Sequence, residues 1–135
     1  MDPLKGTNIG ETPNTKGLPF DLGKLIKFGI VEKQFELADI KILMHTLTED
    51  ERQKALKLSG FVEDATIFTE KIKVPYLVYA IDRIDNTEFK DENSKKELHE
   101  ALLKTQASII DLLIMKYNEM DLEKLKNFEN LKKKS

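Results

Sequence analysis

Leu43-Met44-His45-Thr46-Leu47-Thr48-Glu49-Asp50-Glu51-Arg52-Gln53-Lys54-Ala55-Leu56 passes, within two residues, from an apolar extended run into a capped and highly charged helix. Thr48 and Glu51 have the spacing of a capping box: the hydroxyl accepts from a free first-turn N–H while the carboxylate reaches back to the cap. Glu49, Asp50 and Glu51 also set negative charge at the positive end of the helix dipole. The junction marks where a sheet ends and a helical region begins, so it decides the fold class.

Upstream of it, from Lys24 to Leu47, the hydrophobic period is close to two. Ile26, Phe28 and Ile30 alternate with Lys27 and Gly29, then Phe35 and Leu37 follow, then Ile40, Ile42 and Met44. Such β-branched and aromatic content favours strands. The pair Ile30-Val31 breaks the alternation and predicts a bulge near Gly29 or a change of register. Leu37-Ala38-Asp39-Ile40 predicts a tight turn, giving a hairpin over about 24–47 that must rest on helices or on another chain, because an isolated hairpin is marginal in water. Residues 1 to about 19 hold three of the four prolines. Too little apolar surface is present there to offset ordering entropy, so an N-terminal arm is expected over 1–19 and one α+β domain over 20–135.

Downstream, the capped helix is expected from Glu49 to about Leu58, with Ser59-Gly60 as its stop and Asp50–Lys54 as a four-residue ion pair. A helical region over about Val62 to Ile84 follows, with Ile67, Val74, Val78 and Ile81 on one face and a break or kink at Pro75. Val74 to Ile81 is apolar almost all round and predicts the centre of the core. Asp85 to Asp91 reads as an acidic loop. Ser94 and Glu97 repeat the capping-box spacing and open a helix to about Tyr117 with the stripe Leu98, Leu102, Ile109, Ile110, Leu113 and Tyr117. Leu103, Leu112, Ile114 and Met115 widen that stripe beyond what one small core needs. Residues 121–135 form a separable amphipathic C-terminal helix through Leu122, Leu125, Phe128 and Leu131. The fold class is therefore α+β: a small antiparallel hairpin or sheet followed by four to five helices.

Composition narrows the chemistry. The 135 residues carry 22 Lys+Arg against 24 Asp+Glu, a net charge of -2, so no global field draws the chain to nucleic acid or anionic membrane. There are no cysteines, which excludes disulfides and thiolate chemistry and suits the cytosol. No apolar segment follows Met1, so no signal peptide is expected, and the longest apolar runs are too short to span a bilayer. His45 and His99 have no HxxxH, HxxE or HExxH spacing, and both read as structural or solvent-exposed. Gly17 to Gly23 mimics a phosphate loop but has five residues between its glycines where four are needed, and Leu25 replaces the magnesium-holding hydroxyl. Asp82, Asp85, Glu88, Asp91 and Glu92 lack the central glycine and the alternate ligand spacing of a calcium loop. Lys124, Lys126 and Lys132 to Lys134 suit a solvated helix end. No catalytic, metal or cofactor residues stand out. Surface for protein contact remains, with Phe28, Ile30, Phe35 and Ile42 on the hairpin and Ile109, Leu112 and Leu113 on the late helix as candidate contact residues.

The order of parts resembles a known family. Leu25-Ile26-Lys27-Phe28-Gly29-Ile30-Val31-Glu32-Lys33-Gln34-Phe35, a second strand ending Leu43-Met44-His45-Thr46-Leu47, the Thr48-Glu49-Asp50-Glu51-Arg52 helix start and the apolar Val74 to Ile84 segment look like small tail-assembly proteins of tailed bacteriophages. These include tail assembly chaperones and baseplate-hub assembly proteins. The similarity covers about residues 20–88 and is one of pattern, most marked at Thr46 to Arg52. It implies a non-enzymatic role in building a tail or baseplate, without cofactor, in the cytoplasm of the infected host or within the virion. Partners would be tail, baseplate or hub subunits or further copies of the chain, not nucleic acid or membrane. A helical regulatory adaptor and a small metal-dependent hydrolase built on His45 are the competing expectations.

Overall fold

The computed structural model describes residues 20–60 and 62–134, in two units that meet between Ile30 and Val31. The expected arm over 1–19 lies outside the described residues. In the first unit, α1 (Phe20–Lys27) replaces the strand expected from Lys24. Leu22, Leu25 and Ile26 have helical i, i+3, i+4 spacing, and Gly29 at φ 81° supplies the left-handed stop. Phe28 N–H closes the last turn on the Lys24 carbonyl at 2.8 Å. The irregularity sensed near Gly29 is thus a helix terminus, not a bulge.

In the second unit, β1 (Glu32–Leu37) and β2 (Ile40–His45) form the expected antiparallel hairpin, with Glu32 opposite His45 and Leu37 opposite Ile40. Ala38 takes φ 55° in the two-residue turn. A tight hairpin turn requires positive φ, and the short alanine side chain tolerates it better than a branched one would.

Beyond the corner at Thr46–Thr48 come α2 (Glu49–Ser59), α3 (Ala65–Lys71) and α4 (Lys73–Ala80). Thr48 and Glu51 make both bonds of the capping box, Gly60 ends α2 at φ 77°, and Asp50 pairs with Lys54 at 3.4 Å, each as the sequence predicts. The helical region beyond is broken at Ile72, and Pro75 sits in the first turn of α4, where its missing N–H costs no intrahelical bond. Ile67, expected on the core face, is 48% exposed.

The helix does not continue to Ile84. Ile81–Ile84 is β3, which returns antiparallel beside β2, and Thr87–Glu88 is β4 within the segment read as a loop. The sheet runs β1-β2-β3-β4. Asp85, at φ 51°, turns the second hairpin; its N–H donates to the Lys41 carbonyl at 2.7 Å and its Oδ1 accepts from Lys41 N–H at 2.9 Å.

α5 (Glu92–Leu103) starts at Asp91, whose carboxylate accepts from Ser94 N–H, so Ser94 is the third helical residue and not the cap. The helix expected to Tyr117 stops at Leu103. After the Lys104–Gln106 turn, α6 (Ala107–Lys134) runs unbroken for 28 residues, about 42 Å. The terminal segment expected to stand apart is its continuation.

Val74 to Ile81 is the core centre, as expected: Leu77, Val78, Ala80 and Ile81 are at most 1% exposed. Met44 and Ile42 from the sheet, Leu98 and Leu102 from α5, and Ile110, Leu113, Tyr117 and Met120 from α6 close around them. Full burial of each large aliphatic side chain is worth roughly 1.5–3 kcal/mol. The architecture is α+β, an antiparallel sheet on a helical body.

Candidate functional site

Three acid–base side chains converge where β2 turns into α2. Leu43 and His45 lie on the sheet face opposite Ile42 and Met44, as strand alternation demands. Ile42 pairs with Ile84 and Leu43 with Arg83, but Met44 pairs with Ile81, so Asp82 is an extra residue on β3. Without this bulge Ile81 and Ile84, three positions apart, would face opposite sides of the sheet. With it both reach the core, and Asp82 is turned toward His45.

His45 Nδ1 lies 2.8 Å from Asp82 Oδ2, and Nε2 lies 2.8 and 3.0 Å from the two oxygens of Glu51. The imidazole is 16% exposed. Burial favours its neutral form, yet the bonds and charges of Asp82 and Glu51 outweigh burial and lift the pKa to about 9. Geometry alone requires the same state: with a carboxylate at each nitrogen, a neutral ring would set a lone pair against an anion. For Glu51, burial opposes ionisation, but His45 and the Thr48 N–H hold the carboxyl below its usual range. Glu51 thus serves two masters, accepting from Thr48 N–H at 2.9 Å and from His45.

The surroundings complete the network. Lys95 of α5 donates to the Val78 carbonyl at 2.8 Å and the Ile81 carbonyl at 2.9 Å, placing a cation at the C-terminal end of α4. Burial lowers its pKa, against the opposing charges of Asp82, Glu51 and Glu92. Thr46 Oγ1 accepts from Val31 N–H at 3.1 Å, and Thr46 N–H donates to the Val31 carbonyl at 2.9 Å. Tyr117 of α6 accepts from Leu47 N–H at 3.1 Å and meets Tyr76 edge to face at 6.1 Å; burial raises its pKa to about 12. Four consecutive residues, His45 to Thr48, are therefore tied to Val31, α2, β3 and α6.

This arrangement can hold charge and fix a corner. It does not present two carboxylates to one reacting atom, because Asp82 and Glu51 occupy opposite sides of the ring. Neither nitrogen keeps a lone pair for a metal, and among the described residues no group of three His, Asp or Glu is placed to hold one. His99 lies on α5, one turn beyond Lys95, and is half-buried.

The expected contact residues divide. Ile42 and Leu113 are 4% and 3% exposed and belong to the core, which corrects their placement on a contact face. Phe35, Ile109 and Leu112 are half-buried, whereas Phe28 and Ile30 are exposed. Residue order gave Glu51 as a cap and set Asp82 inside a helical region; their meeting on His45 depends on the β3 bulge, which period counting does not reveal. Among the described side chains of α6, the apolar ones most open are Met115, Leu122 and Leu125, at 48%, 59% and 52% exposure. Comparison with protein-family models, curated proteins and solved structures finds no match for this chain.

Proposed function

We propose that this chain is a non-enzymatic assembly or structural protein of a bacteriophage tail or baseplate, acting through contacts with other protein subunits. The observation that carries the reading is the contrast between its charged junction and its surface. The ionisable groups at the corner satisfy one another, and apolar side chains are left facing solvent. Large exposed side chains on the long α6 are more than a small isolated domain needs for its own core. The pattern resemblance at Thr46 to Arg52 gives the class of assembly. No helix among the described residues is long and apolar enough to cross a membrane.

The test is capture of the tagged chain from infected cells after cross-linking, with the partners identified by mass spectrometry. Tail tube, tape-measure, hub or baseplate proteins are the expected partners, and purified particles then separate a retained subunit from a transient chaperone. Recovery with host regulators alone would replace this reading with that of a regulatory adaptor. Turnover of a substrate by the chain alone would end it.

A further inference from the structure

The face of α6 opposite the core carries a repeat that the fold leaves unused. At 100° per residue, Leu122 lies about 180° from Leu113, and Leu113 is fully packed inside. Met115, Asn118, Leu122 and Leu125 follow the 3-4-3 spacing of a two-helix seam on this outer side. All four are exposed. The helix is already formed and anchored by Ile110, Leu113, Tyr117 and Met120. Pairing therefore costs no helix formation, which is the usual obstacle for so short a seam.

We infer that two copies of this chain pair through α6, in parallel, along Met115, Asn118, Leu122 and Leu125. Side-chain chemistry selects both the occupant and the direction. In a parallel pair each seam residue meets its own copy, so Asn118 faces Asn118 and the two amides bond to one another. In the antiparallel register that keeps the apolar layers, Asn118 would face Leu122 and lose that partner. On the flanks, Asp121 and Lys126 lie on opposite sides of the stripe five residues apart, the separation that brings unlike charges together across a parallel seam; Asp121 also pairs with Lys124 of its own chain at 3.4 Å through Oδ1, which leaves Oδ2 for the partner. Asp111 and Glu129 would each meet a like charge and so bound the seam at its two ends. Asp111 is also held by Lys73 of its own chain at 2.9 Å. The pairing uses the same exposed α6 side chains that support the tail-assembly reading, with a second copy as the partner; sedimentation of the chain alone tests the pairing, and cross-linking in infected cells tests that reading.

The experiment uses the full chain. Sedimentation equilibrium from about 10 μM to about 1 mM, the range of a weak apolar seam, is expected to show a monomer–dimer equilibrium. Leu122→Lys, a surface change, should abolish the dimer and leave the circular dichroism and the thermal midpoint unaltered at about 10 μM, where the parent is monomeric. The chain has no cysteine, so Leu125→Cys, which leaves Asn118 in place, reports direction: a parallel seam brings the two thiols within disulfide reach, and mild oxidation should give a covalent dimer. A monomer throughout the range, a dimer indifferent to Leu122→Lys, or cross-linking of Met115→Cys to Leu125→Cys in preference to Leu125→Cys with itself would each overturn the inference.

Discussion

His45 and Glu51 are joined across the strand-to-helix corner, Nε2 to carboxylate at 2.8 Å, six residues apart in the chain. The same carboxylate closes the N-terminal turn of α2 through Thr48. Because α2 fully buries only Ala55, its attachment to the sheet leans on this charged contact more than on apolar packing.

Alkaline pH should weaken the fold. The His45 pKa is raised from 6.5 to about 9, so its contribution is fully present below pH 6.5 and disappears as pH climbs through about 9. At 1.36 kcal/mol per unit the loss is on the order of 3 kcal/mol. Glu51 has a lowered pKa, so its contribution is present above the ordinary value of 4.5 and is lost as pH falls below it. Thermal midpoints should accordingly peak between about pH 5 and 6.5. NMR titration of the His45 ring should find it protonated at pH 7.5; a neutral ring there would contradict the assignment.

Removing the ring, the one cation of the trio, should cost more than removing one of its anions. In Glu51→Gln, a part-buried imidazolium loses one anion and the cap loses its acceptor strength, for about 2 kcal/mol in urea unfolding. His45→Gln should abolish the alkaline decline and cost about 3 kcal/mol near neutral pH, because the amide donates through its nitrogen only and its oxygen would face the second carboxylate. An unchanged alkaline limb in His45→Gln would assign the transition to another group.

Tyr117→Phe deletes the acceptor for Leu47 N–H and leaves the ring in the core, so the expected loss is about 1–2 kcal/mol. Tyr76→Phe, which keeps the edge-to-face contact, should fall within about 0.5 kcal/mol of the parent. Amide exchange at Leu47 provides the site-specific readout and should speed up in the first variant only.

Gly60→Ala tests backbone against space. A Cβ at Gly60 would meet no atom within 4 Å, yet the residue holds φ 77° and ψ 164°, a region that is essentially glycine's own. Destabilisation of about 1–2 kcal/mol is expected from the backbone alone. Equal stability would mean that the α2 terminus relaxes freely.

Local chemistry made some elements readable in advance. Thr48, Glu51 and Gly60 carry the start and stop of α2 in their own side chains or in the lack of one, and Val74 to Ile81 could be central because it has no polar face. The strand expected from Lys24 failed because Ile26, Phe28 and Ile30 alternate by chance inside a segment that also has helical spacing and a glycine stop. Ile81–Ile84 was read as helix because Val78 and Ile81 keep an i, i+3 relation across the boundary. What makes it a strand is β2 alongside, a long-range pairing. In α6 the polar Asn118 and Glu119 look like a terminus, but Tyr117 and Met120 on the inner face carry the helix through.

The bulge at Asp82 gives β3 one residue more than its neighbour can match. A shortening at this point would straighten the strand, swing either Ile81 or Ile84 out to water and strand His45 with a single anion. Substitutions along β3 can be absorbed one at a time, but a change in its length cannot, so the spare residue is the part of the sheet that tolerates deletion least.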